Sequence, residues 1–328
     1  MPRIVDPSST HIAQNATNVD DRRMSVAGYQ SWFISARDPA SEGALWIRHT
    51  ALRPRHGPRS AALWCTVVDR GLSQQPFVVK QVFAMAPTEA TAGPEKFLGR
   101  ARMGQRTARW ELEIAASDAP LRPLRPGWLY GAPVPRTKLA ADVPDGLITG
   151  TLEIDGRAAG VSGWRGTIGH NWGSEHADSW VWLHAAGFAG SPDAWLEMVL
   201  ARIRVGPARS PWLAMGALSV GGERFWIGGF GRRPRADVRP GALVARIPCP
   251  RAWLEVSVST SADNAVTVAY ADPSGGSRRV RHAAIARVDL TLHPKGGRDI
   301  TMTTGKGAYE YGTRLGMDDI DIEPLPEG

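Results

Sequence analysis

Short segments of alternating apolar and polar residues dominate the chain, and segments with apolar residues at helical spacing are scarce. Gly and Pro occur throughout and separate these segments. The pattern predicts many short β-strands, and so an all-β sandwich or barrel. The clearest predicted strands span residues 44–52, 60–68, 77–85, 107–115, 147–155, 179–188, 194–205, 211–220, 223–230, 252–260, 265–272 and 287–294.

The second half of the chain repeats features of the first. The spacing from Trp32 to Trp64 equals that from Trp180 to Trp212, and similar short motifs occur between them in the same order. This repetition predicts a duplicated β module with its junction near 150–165. Hairpins that arose independently are the alternative, because hairpin sequences are alike in most all-β proteins.

The predicted domain organisation has three parts. A polar N-terminal arm covers residues 1–24, a first β-barrel domain covers 25–160, and a second covers 161–328. The segment 121–139 is rich in Pro and Arg, so it is not expected to form a central strand. We expect it to lie extended over the surface or across one barrel.

Composition narrows the function classes. The 328 residues suffice for two domains, and 43% hydrophobic with 22% charged residues is typical of globular proteins. The chain has no apolar run of transmembrane length, and its N-terminus has no secretory signal, so we predict a cytoplasmic protein without stable membrane insertion. Peripheral membrane contact stays open. Cys65 and Cys249 match no metal or disulfide pattern and are expected to be buried thiols.

The net charge of +7 raises nucleic acid as a partner. The basic residues are mostly Arg and are scattered, with "GRRPR" at 231–235 as their nearest approach to a cluster. No nucleic-acid-binding motif accompanies them, so we predict no nucleic-acid partner. The expected partner is a hydrophobic small molecule, and the sequence leaves the oligomeric state open.

Residues 163–184 read GWRGTIGHNWGSEHADSWVWLH and hold an unusual concentration of Trp and His. Together with "PRTKL" and "GTLEIDGR" before it, and "GKGAYEYG" at 305–312, this stretch resembles the lipocalin-like isoprenoid-modifying proteins. That family includes tocopherol cyclase, the carotenoid hydratases and the lipocalin-like Diels–Alderases. The resemblance covers about residues 28–315. It implies two lipocalin-like (calycin-type) β-barrels in tandem that act on an isoprenoid or polyene-like substrate, with no metal and no cofactor.

One position departs from the family pattern. Carotenoid hydratases carry an Asp just before the His-Asn-Trp-Gly run, and this chain has Gly169 there. A catalytic carboxylate is therefore absent at this point, and other residues must supply the acid. We rank His170 first, because it lies between two glycines in the most distinctive motif. Glu197 and Glu310 are the other candidates, because a carboxyl on an apolar strand has a raised pKa unless it is paired.

Candidate substrate-binding residues follow from strand alternation. On the strand 179–188, Trp180, Trp182 and His184 share one face, where indole rings could stabilise a developing carbocation. The other candidates near these segments are Trp172, Trp195 and Tyr309. Ordinary core packing is the alternative for each Trp, pairing with Arg202 or Arg204 is the alternative for Glu197, and a backbone-satisfied structural role is the alternative for His170.

These residues favour an enzyme without a redox cofactor: a cyclase, isomerase or hydratase acting on a hydrophobic unsaturated molecule in a Trp-lined barrel cavity. Confinement of a reactive conformer would need few catalytic side chains and is a variant of the same hypothesis. The main alternative is a non-catalytic carrier or sensor of a hydrophobic ligand, and a weaker one is a structural interaction module. A metal site formed by His170, His176 and His184 with Glu175 matches no recurrent ligand spacing.

Overall fold

Strands account for most of the residues that the computed structural model describes, which are 26–71, 75–229 and 231–314. The predicted N-terminal arm lies outside these ranges. Within them, helical geometry is limited to two 3₁₀ turns, Gly127–Tyr130 and Ala262–Asn264. The all-β class predicted from alternation is therefore confirmed.

The first sheet is antiparallel and has the strand order β4-β3-β2-β1-β9-β8-β7-β6-β5. It curls until β4 approaches β6, and it encloses a core that includes Ile34, Ile47, Phe97 and Trp110. Its strands are β1 Gly28–Arg37, β2 Ala44–Arg53, β3 Ser60–Val68, β4 Phe77–Phe83, β5 Thr91–Ala92, β6 Lys96–Met103, β7 Arg106–Ala116, β8 Thr137–Ile154 and β9 Arg157–Gly173.

The second sheet has the order β15-β14-β11-β10-β21-β20-β18-β17-β16, with β19 paired to the first half of β20. It encloses a core that includes Val181, Leu183, Leu196 and Tyr309. The remaining strands β12 and β13 form a separate ribbon. The bounds are β10 Ser179–Phe188, β11 Ser191–Arg202, β12 Arg204–Val205, β13 Ala208–Arg209, β14 Leu213–Val220, β15 Glu223–Gly228, β16 Arg235–Arg239, β17 Ala242–Pro248, β18 Ala252–Ser259, β19 Ala265–Ala271, β20 Ser277–Pro294 and β21 Ile300–Arg314.

The two sheets repeat one topology. In each, the first strand lies at the centre, three hairpin-connected strands extend to one side, and the last strand of the unit pairs with the first. β1 thus corresponds to β10 and β9 corresponds to β21. The predicted tandem of lipocalin-like barrels is confirmed by this shared order.

The junction between the two units differs from the prediction. β9 runs to Gly173 and pairs with β1 and β8, so all of it belongs to the first sheet. The second sheet begins at Ser179. The predicted boundary between residues 160 and 161 therefore falls inside β9. In the structure the boundary lies at residues 174–178, because β9 is hydrogen-bonded beside the central strand of the first sheet.

The repeated Trp spacing does not mark equivalent positions. Trp32 lies in the core of the first barrel, whereas Trp180 lies on the outer face of the second. Trp64 lies within β3, whereas Trp212 precedes β14. Because side chains alternate along a strand, a shift of one residue moves a side chain to the other face of the sheet. The duplication is therefore present in the topology but not in this alignment of tryptophans.

The outer faces of the central strands pack against each other and join the two units. β1 is buried on both faces: Ile34 faces the first core, while Phe33 and Trp182 of the second sheet form a T-shaped pair with ring centroids 5.2 Å apart. Trp46 of β2 stacks on His282 of β20 at 4.0 Å. Burial of these rings stabilises the arrangement of the two barrels.

Candidate functional site

A cavity of about 950 Å³ lies between the two sheets, outside both barrel cores. Its volume suits a small organic molecule. The walls are mostly apolar and come from three parts of the chain. They include Tyr29, Phe33, Trp46 and Arg48 from the first sheet, Trp180, Trp182, Val199, Met215, Trp226, Tyr270 and Glu310 from the second, and Pro123, Leu124, Leu129 and Pro135 from the β7–β8 connection.

Strand alternation explains which side chains reach this cavity. In β10, Val181 and Leu183 point into the second core, and Trp180, Trp182 and His184 share the opposite face. That face is the outside of the second barrel. The site therefore lies between the barrels, whereas the sequence predicts it inside one barrel. Trp180 and Trp182 line the cavity, whereas His184 is fully buried deeper along the strand.

The Pro-rich segment forms one side of this cavity. Residues 117–136 connect β7 to β8, and Leu121 pairs with Ala141. The segment contacts the second unit through the Asp118–Arg224 ion pair at 2.6 Å and through Arg125, which lies 4.1 Å from the centre of the Trp226 ring. It therefore crosses from one barrel to the other along the cavity. The sequence predicts instead that it lies over the surface or across a single barrel.

Among the residues that the structure describes, Glu310 is the carboxyl group that lines the cavity. Trp180 Nε1 donates to its Oε1 at 2.9 Å, and the Tyr270 hydroxyl donates to its Oε2 at 2.8 Å. His282 Nδ1 lies 3.4 Å from Oε2. Burial by itself raises the pKa of Glu310, but His282, Arg48 and the Trp180 indole outweigh it and hold the pKa below its ordinary value. Glu310 is thus an ionised carboxylate and not the protonated acid expected from the sequence.

Glu197 has the opposite protonation state. It is buried, and Trp182 Nε1 donates to its Oε1 at 2.5 Å. Burial raises the pKa of Glu197 to about 8, against the lowering effects of the Trp182 hydrogen bond and the Arg37 charge. It pairs across the strands with His184 and lies behind Trp182, away from the cavity lining. Its cationic neighbour is Arg37 of the first unit, in place of the Arg202 or Arg204 considered from the sequence.

His170 does not line the cavity. Its ring is stacked between Trp32, at 4.4 Å between centroids, and Trp172, at 4.5 Å. Burial lowers the pKa of His170 to about 3, so the imidazole is neutral at ordinary pH and cannot serve as the proton donor. The first-ranked acid is therefore a packing residue, because its β9 position aligns it with Trp32.

Three predicted substrate-binding residues have other environments. Trp172 stacks near Tyr130 and His170. Trp195 Nε1 donates to Asp118 Oδ2 at 3.1 Å within a small cluster beside β14. Tyr309 points into the second core, where its hydroxyl donates to the Arg239 and Ala242 carbonyls. None of the three is among the residues that line the cavity.

Gly169 faces an aromatic side chain of the neighbouring strand. It pairs with Phe33 across the strands, and a Cβ atom at Gly169 would lie 2.2 Å from Phe33 Cζ. The aromatic ring thus occupies the space that a side chain at residue 169 would need. In this protein the carboxylate that faces the cavity is Glu310, which comes from the opposite wall.

We expect Gly169→Ala to destabilise the protein by about 1–3 kcal/mol, because the added methyl overpacks the Phe33 ring. Gly160→Ala on the same strand is the control, since nothing lies within 4 Å of its Cβ position. In a Phe33→Ala background the Gly169 substitution should cost much less. Chemical denaturation of all variants measures this, and an equal cost in both backgrounds contradicts the steric account.

The sequence alone does not mark Tyr29, Trp46, Arg48, Tyr270 and His282 as residues of the site, and it offers His176 only as a possible metal ligand. Within β2, Leu45 and Ile47 face the first core, and Trp46 and Arg48 face the cavity. The sequence signal for this part of the site is Arg48, a charged residue two positions after Trp46 on a strongly apolar strand, so that both side chains lie on one face. Only the structure shows that Tyr270 and Arg48, far apart in sequence, are in contact.

The described residues contain no group of three His, Cys, Asp or Glu side chains that could hold a metal ion. In the same parts of the chain, no helix is both long and apolar enough to span a membrane. Cys65 and Cys249 are buried and unbridged, as expected.

Known proteins resemble this chain in two ways. Two uncharacterised proteins of Mycobacterium tuberculosis are each 27% identical over 300 residues, which covers 86% of this chain and 85% of each relative. No family model matches the chain. An AttH-type protein of Nitrosomonas europaea has a similar structure, with a TM-score of 0.56 and 13% identity over 95% of this chain and 98% of that one.

Two further solved structures are similar. Kievitone hydratase of Nectria haematococca has a TM-score of 0.52 and 8% identity, with 89% of this chain and 90% of that chain covered. CghA, solved with Sch210972, has a TM-score of 0.52 and 10% identity, with 88% of this chain and 89% of that chain covered. The fold is the lipocalin-like one predicted from the sequence. At these identities the similarity establishes the fold alone.

Proposed function

We propose that this protein is an enzyme that binds a hydrophobic unsaturated molecule between its two barrels and promotes a proton-transfer reaction there. Cyclisation, isomerisation and hydration of an isoprenoid or polyene-like substrate all fit this description. The observation that carries the proposal is Glu310, a buried carboxylate whose donors fix it against a mostly apolar cavity. A carboxylate so placed can accept a proton from the substrate.

The surroundings of Glu310 favour catalysis over passive binding. Trp180, Trp182 and Trp46 provide aromatic walls against which a flat unsaturated substrate can stack beside the carboxylate. The Trp180 and Tyr270 donors fix the orientation of the carboxylate before the substrate binds, so that little rearrangement is needed for proton transfer. Because Glu197 is protonated but lies behind Trp182, the proposed mechanism begins with base action and not with proton donation.

The alternative is a carrier or sensor of a hydrophobic ligand. Such a protein would need the cavity but no carboxylate that faces it. Among Glu197, Glu310 and His170, only Glu310 lines the cavity, and this favours the enzyme. The shared fold of kievitone hydratase, whose name gives it hydratase activity, supports the same choice. A cytoplasmic location and the absence of a nucleic-acid partner remain predictions.

Ligand binding tests the cavity itself. We expect all-trans-retinol to quench the intrinsic Trp fluorescence in a saturable way, because Trp180 and Trp182 line the cavity. Trp182→Phe should reduce the quench at saturation, whereas Trp253→Phe, a change at a Trp that stacks on His293 and does not line the cavity, should reduce it less. Native mass spectrometry of the purified protein complements the titration. If a broad panel of polyenes and prenylated aromatics gives no saturable quench, the cavity is not a lipid site.

A further inference from the structure

Arg48 is a buried cation held in a fixed orientation. Its side chain extends from β2, and its Nε and Nη2 atoms donate to Ser31 Oγ at 3.2 and 2.8 Å. The guanidinium carbon lies 3.8 Å from the centre of the Tyr270 ring. The residue is only 5% exposed, and Nη1 has no acceptor among the described residues. A buried N–H of a charged group without an acceptor is costly, so an oxygen from elsewhere is the expected partner.

The position of Arg48 indicates where that oxygen comes from. The residue lines both the main cavity and a second cavity of about 170 Å³, together with Tyr29, His176 and Tyr270. The guanidinium therefore lies where the apolar cavity meets a smaller and more polar space. A ligand with an apolar body in the large cavity can present one polar end to Nη1.

The charges around Arg48 select the chemistry of that polar end. Ser31 Oγ accepts from Nε and from one N–H of Nη2, so the two N–H groups of Nη1 and the second N–H of Nη2 are left for a ligand. These donors suit either a carboxylate or a carbonyl oxygen. The carboxylate of Glu310 is also near, because the Tyr270 hydroxyl that donates to it belongs to the ring under Arg48. A second carboxylate would be repelled, whereas a neutral carbonyl oxygen needs one donor and meets no repulsion.

We propose that Arg48 binds the oxygen of a conjugated carbonyl group, so that the substrate is a hydrophobic enone or related unsaturated carbonyl compound, and that Glu310 moves a proton on its carbon skeleton. This rests on the function proposed above and specifies its substrate class. A proton leaves an acidic C–H next to the conjugated system and bonds to the Glu310 carboxylate. The C–H electron pair shifts towards the carbonyl oxygen, which becomes an enolate stabilised by Arg48. The Glu310 carboxylic acid then returns the proton to a different carbon. The product is an isomer, and no other reactant is consumed.

Matched ligands test the carbonyl contact. β-Ionone and β-ionol share one carbon skeleton, but β-ionone carries a conjugated ketone where β-ionol carries an alcohol. All-trans-retinal and all-trans-retinol form a longer pair, an aldehyde and an alcohol. We expect the protein to bind the carbonyl member of each pair more tightly. In infrared difference spectra the carbonyl stretch of bound β-ionone should move to lower wavenumber, because the guanidinium polarises the C=O bond.

Variants assign the contact to Arg48. Arg48→Met should weaken β-ionone binding about tenfold to a hundredfold, as expected for a hydrogen bond to a charged group. It should change β-ionol binding less and abolish the infrared shift. Arg48→Lys, which keeps the charge, should restore part of both effects. Arg246→Met, a change at an arginine that lies over Trp253, is the control. Melting temperatures establish that each variant is folded, and the infrared measurement on the unmodified protein stands without any variant.

The outcomes separate the two proposals. Binding of both pairs with no carbonyl preference and no infrared shift overturns the Arg48 assignment and leaves the cavity proposal standing. A carbonyl preference that survives in Arg48→Met also overturns it. If the protein binds none of the four compounds, both proposals fail. Deuterium uptake by β-ionone in D₂O above the buffer rate, lost in Arg48→Met, supports the proton step directly.

Discussion

Glu310→Gln should lower turnover by about a hundredfold to ten-thousandfold and leave ligand affinity nearly unchanged. The substitution keeps the shape of the side chain and an acceptor for Trp180 Nε1, but it removes the group that takes the proton. Loss of a positioned general base typically costs this much. The assay is conversion of the ligand that native mass spectrometry identifies, together with deuterium uptake by β-ionone.

The control for this prediction is Glu255→Gln, a change at a carboxylate on the outer surface of β18. It should leave the rate unchanged. Fluorescence titration separates loss of chemistry from loss of binding, and thermal melting establishes that the variant is folded. If Glu310→Gln converts substrate at the rate of the unmodified protein, confinement without acid–base chemistry is the better mechanism. If neither protein converts any ligand that binds, the carrier interpretation is correct.

Alternation in the sequence predicted strands well where one face of a sheet meets a core and the other meets solvent. β18 alternates between buried and exposed residues along its whole length, and its predicted and observed bounds agree within one residue. β1 and β21 did not stand out in the same way. Both faces of β1 and of the second half of β21 are buried, so the period-two signal is lost at the centre of each sheet.

The same physics limited the prediction of the site. Alternation placed Trp180 and Trp182 on one face, but it could not show whether that face meets the barrel core or the neighbouring barrel. Sheet curvature and the packing of two units decide this, and they depend on contacts between distant residues. Tyr270 and Arg48 are 222 positions apart and yet stack at 3.8 Å. His170 looked catalytic because of its motif, whereas its alignment with Trp32 makes it a packing residue.

Carboxyl protonation was the least predictable property. Both Glu197 and Glu310 lie on apolar strands, so the sequence treated them alike. The structure separates them: the two neutral donors, His282 and the Arg48 charge outweigh the burial of Glu310, whereas the indole donor and the Arg37 charge do not outweigh the burial of Glu197. Hydrogen bonds to the charged form lower a carboxyl pKa, and burial raises it. Which effect dominates depends on neighbours that the linear sequence does not reveal.

The histidines buried in the first barrel and between the two barrels should make the protein sensitive to acid. Burial lowers the pKa of His49 and His170 to about 3 and that of His176 to about 4, and it also lowers those of His184 and His282. Each such group binds more protons when unfolded, so its contribution to stability is complete above about pH 6.5 and is lost as the pH falls. Glu197 and Asp145, whose pKa values are raised by burial, act in the opposite direction, but they are two groups against five.

We therefore expect the free energy of unfolding to be several kcal/mol smaller at pH 5 than at pH 7, with His49 alone accounting for about 2 kcal/mol. His49 is suited to the test because it lies in the first barrel, away from the cavity lining, where Trp110 Nε1 donates to its Nε2. His49→Gln keeps an acceptor for Trp110 but cannot be protonated. It should reduce the difference between the two pH values by about 2 kcal/mol in urea denaturation, whereas His56→Gln, a change at an exposed histidine, should not alter it. If stability is equal at pH 5 and pH 7, the histidines are not buried in neutral form, and the packing of Trp32 on His170 and of Trp46 on His282 would need to be revised with them.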